Sequence, residues 1–165
     1  MILIIVESPS KIKTIEKYLI GDYKVIASVG HLFDLCTTNM SINLDTMEPT
    51  YEQIKGKSKV VRNIKKHYRN ATDILLAGDP DREGEAICFH IAKMLKEDVT
   101  KVKRIRFHEI TKKSIIEAVN NPTTIDKNLF NAQQTRRMID RIMGYLISPV
   151  LCNAVGFSKV SAGRV

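Results

Sequence analysis

Apolar and polar positions follow two different rhythms along this chain, and they change over near residue 122. Ile2 to Val6 is an unbroken run of β-branched residues and leucine, the pattern of a strand covered on both faces of a parallel sheet. Ser8, Pro9 and Ser10 form a helix start, with Ile12, Ile15 and Leu19 at i, i+3 and i+7 and Gly21 as the stop. Tyr23 to Ser28 predicts a second strand and Gly30 to Ser41 an irregular loop. Met47 to Lys59 lacks a period and is expected to be a surface excursion, and Val60 to Tyr68 predicts a basic helix. Asp73 to Ala77 then predicts a short strand and Gly78 to Gly84 a polar turn, followed by a helix with Ile87, Ile91, Met94 and Leu95 on one face. Arg104 to Phe107 reads as a further strand. Thr111 caps a helix carrying Ile115, Ala118 and Val119, and Pro122 stops it.

Strands alternating with helices predict an α/β fold: a Rossmann-like, mostly parallel four-stranded sheet with helices on both faces. Beyond Pro122 the strand pattern is gone. Residues 126 to 147 form one helical pattern, apolar at Met138, Ile139, Ile142, Met143 and Leu146, polar at Gln133, Arg136, Arg137, Asp140 and Arg141. One domain over 1–122 and the start of a second, helical one over 123–165 are expected. With Ser161-Ala-Gly-Arg-Val165 at its end and no cap or polar tail, the chain is expected to be a piece of a longer protein.

Composition narrows the class. At 165 residues, 44% apolar and 27% charged, the chain is long enough to bury a core and reads as globular. Its longest apolar runs, such as Met1 to Val6, are far shorter than the roughly 20 residues of a membrane span, so no membrane segment is expected. The N-terminus has no basic leader and reaches Glu7 early, so a cytoplasmic setting is expected. Cys36, Cys88 and Cys152 are too few and too far apart for a zinc knuckle or a disulfide framework. The net charge of +8 is unevenly spread: residues 1–100 hold 14 basic against 14 acidic side chains, residues 101–165 hold 12 against 4. That gradient suits a C-terminal part facing a polyanion, although a solvated basic face gives the same count.

The chemistry concentrates in Asp79-Pro80-Asp81-Arg82-Glu83-Gly84-Glu85, four carboxylates in seven residues directly after a buried strand. They repel one another, and a helix N-terminus offsets only about 0.3–1 kcal/mol per favourable placement. A hard divalent cation such as Mg²⁺ neutralises such a group well; a solvated acidic first turn is the other reading. Glu7 stands at the carboxyl end of the first strand, where open α/β sheets bind ligands, and converges on the turn if the two strands are neighbours. Lys11 lies in a first helical turn, which disfavours a cation, so it is either a phosphate ligand or a surface lysine. The four histidines show no metal-pair spacing, His90 reading as a packed residue. Neither GxGxxG nor GxxxxGK[ST] occurs, and a phosphatase-like DxD turn belongs after a first strand, which Glu7 occupies.

Six motifs in order give the chain a family likeness. Val6-Glu-Ser-Pro-Ser-Lys11, Val29-Gly-His-Leu-Phe-Asp34, Leu76-Ala-Gly-Asp-Pro-Asp-Arg-Glu-Gly-Glu-Ala86, Phe107-His-Glu-Ile-Thr111, Asn131-Ala-Gln-Gln-Thr-Arg-Arg-Met-Ile-Asp-Arg141 and Ser161-Ala-Gly-Arg-Val165 resemble the N-terminal motifs of type IA DNA topoisomerases. The resemblance covers nearly the whole chain: a Toprim domain and the start of the helical DNA-binding domain. It implies relaxation of negatively supercoiled DNA through Mg²⁺-dependent transient single-strand cleavage and religation. It further implies Glu7 as acid or base beside the scissile phosphate and near the metal, Asp79, Asp81 and Glu83 as the Mg²⁺ triad, and Lys11 as the phosphate-stabilising lysine. His31, Arg82, Arg136, Arg137, Asp140, Tyr145, Ser161 and Arg164 are implied as DNA contacts. The partners implied are a single-stranded segment of DNA and the rest of the parent polypeptide, the parent being a DNA-associated monomer with no membrane role.

The likeness has gaps. The family's nucleophile is a tyrosine in a separate domain, and Tyr18, Tyr23, Tyr51, Tyr68 and Tyr145 lie in none of its surroundings, so this fragment is expected to be inactive alone. Cys152 stands where some members carry an aromatic DNA contact. The segment between Asp34 and Val60 lacks the long insertions of some members. A primase-like or nuclease-like Toprim protein, and a non-catalytic single-strand-binding module, are the alternatives.

Overall fold

In the computed structural model, which describes residues 1–157 and 160–163, four parallel strands form the centre. They are β1 (Ile2–Val6), β2 (Tyr23–Ala27), β7 (Asp73–Ala77) and β8 (Lys103–Arg104), in the order β2-β1-β7-β8. The alternation of side chains on β1 sorts the helices into two layers. Leu3 and Ile5 pack with Ile74 and Leu76 against α2 (Ser58–Tyr68) and α3 (Arg82–Leu95), through Val61, Ile64, Ile87 and Ile91. Ile4 and Val6 pack with Leu75 and Ala77 against α1 (Ile12–Tyr18) and α4 (Lys112–Asn120), through Ile15, Ile115 and Ala118. Both faces of β1 are therefore covered, as its continuous apolar run requires.

The excursion between residues 33 and 53 is more ordered than its sequence. β3 (Phe33–Leu35) pairs antiparallel with β6 (Tyr51–Gln53), and β4 (Ile42–Asn43) with β5 (Glu48–Pro49). Several boundaries also move. Ser8 caps a 3-10 turn over Pro9–Lys11 before α1 begins, and α1 ends at Tyr18 rather than running to Gly21. The helix α3 starts at Arg82, inside the expected turn, and the fourth strand spans two residues instead of four.

The last helix, α5 (Lys127–Val155), is capped by Asp126, whose carboxylate accepts from the Asn128 and Leu129 amides. It passes through Pro149 and continues eight residues past the expected end at 147. Its N-terminal half packs on α3, with Phe130 stacked on Phe89 at 3.7 Å between ring centres. By length and composition α5 is apolar enough to cross a membrane, a point hidden in the run count because Asp140 and Arg141 interrupt it. From its middle onward the helix leaves Ile139, Leu146, Ile147 and Val150 exposed.

Candidate functional site

Strand register sets the site. Val6 lies opposite both Ala27 and Ala77, so three chains leave the sheet at one edge and continue as Glu7, Ser28 and Gly78. Glu7 is half-buried there, and its carbonyl accepts from the Gly30 amide at 3.1 Å, which draws the loop of His31 over the same edge. This is the carboxyl end of the strands, where open α/β sheets place ligands.

The acidic turn is folded tightly against α3. A Cβ on Gly84 would lie 2.5 Å from the Asp79 nitrogen and closer still to the Asp79 carbonyl oxygen, and one on Gly78 would lie 2.6 Å from the Gly84 oxygen. Both glycines are therefore required by close backbone approach. Each carboxylate then finds its own protein partner. Asp79 is ion-paired with Lys11. Asp81 is the N-cap of α3 and accepts from the Gly84 amide at 2.8 Å. Glu83 accepts at 3.2 Å from Gln133 of α5 and lies 3.0 Å from His31 Nε2. Glu85 points inward, fully buried, and pairs with Arg104 at 3.1 Å and Arg106 at 2.8 Å.

Arg104 and Glu85 were not singled out by sequence reasoning, yet they brace the turn from behind. Arg104 is fully buried and donates to the carbonyls of Leu76, Gly78 (2.9 Å), Asp79 (2.8 Å) and Ile105. The second Glu85 oxygen accepts the Asp126 amide at 2.6 Å, tying the turn to the start of α5. A signal was present: Glu85, Cys88 and Ala92 share one helical stripe at i, i+3 and i+7, and the latter two are core residues.

Two arginines of the polar stripe on α5, implied as a DNA-facing row, also grip the loop over 34–39. Arg137 makes a two-pronged bond to Asp34, through Nε at 2.8 Å and through Nη2. Burial pushes the Asp34 carboxyl up, but Arg137, the Leu35 amide and nearby His31 together hold it below the usual carboxylate range. Arg141 donates to the carbonyls of Cys36, Asn39 and Leu35 and lies over the Tyr145 ring, whose hydroxyl donates to Thr37 O at 3.2 Å. Gln133 is buried. Between the hairpin, the acidic turn and α5 lies a cavity of about 530 Å³, lined by His31, Asp34, Glu83, Arg136, Arg137 and Asp140. A second hollow of about 300 Å³ lies farther along α5, between Arg137, Asp140, Arg141, Tyr145 and Ser161.

The structure thus brings Glu7, Lys11 and Asp79 to one edge and His31, Glu83, Arg136, Arg137 and Asp140 around one cavity. Tyr145 and Ser161 flank the second hollow, Arg82 is exposed at the start of α3, and Arg164 lies outside the described residues. The oxygens of Glu7, Asp79, Asp81 and Glu83 are of the hard kind a divalent cation takes. Their placement does not form a cage for one: among the described residues no three His, Cys, Asp or Glu side chains converge as a metal site. Lys11, the α3 N-terminus, His31 and Gln133 occupy the positions a cation would neutralise.

Comparison with known proteins agrees with this architecture. The Toprim domain family model matches residues 2–110. Full-length topoisomerase I from Thermotoga maritima is similar in structure, with a TM-score of 0.85 and 46% sequence identity over 91% of this chain. The match spans 26% of that protein's chain.

Proposed function

Because the chain belongs to the Toprim domain family, we propose that it is the N-terminal part of a type IA DNA topoisomerase, an isomerase that relaxes negatively supercoiled DNA by transient single-strand cleavage and religation. The observation that carries this reading is the meeting of Glu7, Lys11 and Asp79 at the strand edge beside an arginine-lined cavity on α5. In the same reading residues 1–122 are the Toprim domain and 123–165 open a helical DNA-binding domain. The rest of the parent polypeptide supplies the nucleophilic tyrosine and covers the exposed apolar residues of α5; the match to about a quarter of a topoisomerase I chain supports that division. The parent is proposed to act as a cytoplasmic, DNA-associated monomer.

The chain's own groups divide the work. The cavity holds a single strand by its phosphates, with Arg136, Arg137 and Asp140 on one wall and His31 on the other, so that a phosphodiester lies at the strand edge. There the tyrosine oxygen attacks phosphorus while Glu7 exchanges the proton of the attacking or departing oxygen. Lys11, giving up Asp79, takes the phosphoryl charge. Mg²⁺ would be held by Glu7, Asp79, Asp81 and Glu83 once Asp79 and Glu83 exchange their present partners, and would neutralise charge beside the phosphodiester.

Binding of a fluorescent single-stranded oligonucleotide tests the reading at the level of this chain. Affinity is expected to fall steeply with salt, and Arg136→Ala with Arg137→Ala is expected to lower the slope of log K against log salt by about 1.4, at roughly 0.7 per phosphate contact. Salt-independent binding, or an unchanged slope in the double variant, contradicts the groove.

A further inference from the structure

The even charge balance of residues 1–100 conceals a positive strip. Seven of their 14 basic residues fall between Lys55 and Arg69, a stretch without a single acid. On α2, Val61 and Ile64 face the core, while Lys59, Arg62, Lys66 and Arg69 recur at i, i+3, i+7 and i+10 on the opposite flank with Lys65 beside them. All five are exposed, and none has a side-chain hydrogen bond or ion pair among the described residues.

The fold rewards only part of this arrangement: Lys65 and Lys66 lie in the last turn of α2, where the macrodipole favours a cation. Like charges at i, i+3 and i, i+4 destabilise a helix, and Lys59 sits in a first turn that holds no acid, where the macrodipole opposes a cation. Five exposed cations that repel one another and meet no acid among the described residues point outward, to a polyanion. Its position says which one. Lys57, just ahead of α2, donates to the carbonyl of Val29, and the Ile54 amide donates to Leu32 O at 2.9 Å. The same loop places Gly30 on the Glu7 carbonyl and His31 against Glu83. The strip therefore starts beside the strand edge and runs away from it for about 15 Å, at roughly 1.5 Å per residue.

We propose that α2 is a second DNA contact, a sequence-independent track for the sugar-phosphate backbone of the single strand where it leaves the cavity. The proposal rests on the topoisomerase reading, since it needs a strand bound at the edge. It assigns Lys59, Arg62, Lys66 and Arg69 to phosphates outside the reacting segment, leaving Glu7, Lys11 and the α5 arginines with the segment inside.

The test compares a deoxythymidine oligonucleotide of about 6 nucleotides, which fills the cavity alone, with one of about 25, which also reaches α2. The protein carries Lys59→Gln, Arg62→Gln, Lys66→Gln and Arg69→Gln. On the long oligonucleotide the salt slope is expected to fall by about 3, four contacts at roughly 0.7 each, with affinity for the short one unchanged. Lys66→Gln with Arg62→Gln alone is expected to give about half that change, which keeps the test valid should the fourfold variant misfold. Circular dichroism and the melting temperature check that each variant keeps the fold, the relief of like-charge repulsion being offset in part by the loss of Lys66 from the helix C-terminus. An unchanged slope on the long oligonucleotide, or equal losses on both lengths, overturns the track. Failure of the unaltered protein to bind either length overturns the topoisomerase reading and the track with it.

Discussion

Glu85 and Asp79 lie six residues apart in one acidic motif, and burial gives them different work. Glu85 is fully enclosed with Arg104, so removing either partner would leave an uncompensated buried charge, an expensive state that fixes the pair as structural. Asp79 is 43% exposed and Lys11 only 16%, so their pair is part-buried but opens to solvent on the carboxylate side, where the acid can exchange its partner. The motif thus has a rigid inner acid and a releasable outer one. His90 shows the same logic for a base. It is packed among Phe33, Tyr51, Phe89 and Phe130, and burial lowers its pKa from 6.5 to about 4. The unfolded chain takes up a proton near pH 6.5 that the folded one refuses until about pH 4. Stability is therefore expected to be full above pH 6.5 and to fall between pH 6.5 and 4 by about 3 kcal/mol. His90→Phe keeps the ring packing and should flatten that limb in urea titrations at several pH values; an unchanged limb would assign it to other groups.

At the scale of elements, two glycines separate close packing from mere helix propensity. Gly84→Ala drives a methyl into the Asp79 backbone and is expected to destabilise the chain by at least about 2 kcal/mol. Gly144→Ala in α5 meets nothing within 4 Å and should stabilise by about 0.5–1 kcal/mol. Chemical denaturation of the two variants checks the contrast; a neutral Gly84→Ala would mean the turn is looser than described. The elements that could be read from sequence were those with a sustained period: β1, β2, β7 and the helices α3 and α4. Those that could not lack one. β3 and β6 are three residues each and are held by partners about 18 positions away; the fourth strand was legible as an element, but two residues at a sheet edge carry no period to fix its bounds. The extension of α5 past Pro149 was hidden because proline removes one internal hydrogen bond; on an exposed half-helix water can satisfy the carbonyl it leaves.

Over the whole molecule, the strand ends that carry Glu7 and the acidic turn were legible from the sequence, and their meeting hung on β1 and β7 being neighbours, which the sheet order β2-β1-β7-β8 makes them. What escaped was how charge is settled inside the fold. Four neighbouring carboxylates suggest a metal when read alone; in three dimensions Lys11, the α3 N-terminus, His31, Arg104 and Arg106 meet them from distant segments. The arginines of α5 read as a phosphate-facing stripe, and nothing in the sequence signalled that Arg137 and Arg141 also hold the 34–39 loop. The molecule that results carries an acidic strand edge together with the basic helices α2 and α5, the arrangement on which the proposed function and the α2 track rest. The most direct measurement is relaxation of negatively supercoiled DNA by this chain joined to the tyrosine-bearing remainder of its parent, with Mg²⁺ present. The account predicts that the chain alone leaves supercoils intact, that the joined protein relaxes them, and that Glu7→Gln in the joined protein lowers the rate by roughly 10²–10⁴-fold. Relaxation that is undiminished by Glu7→Gln, or a joined protein that binds DNA and never relaxes it, would contradict it.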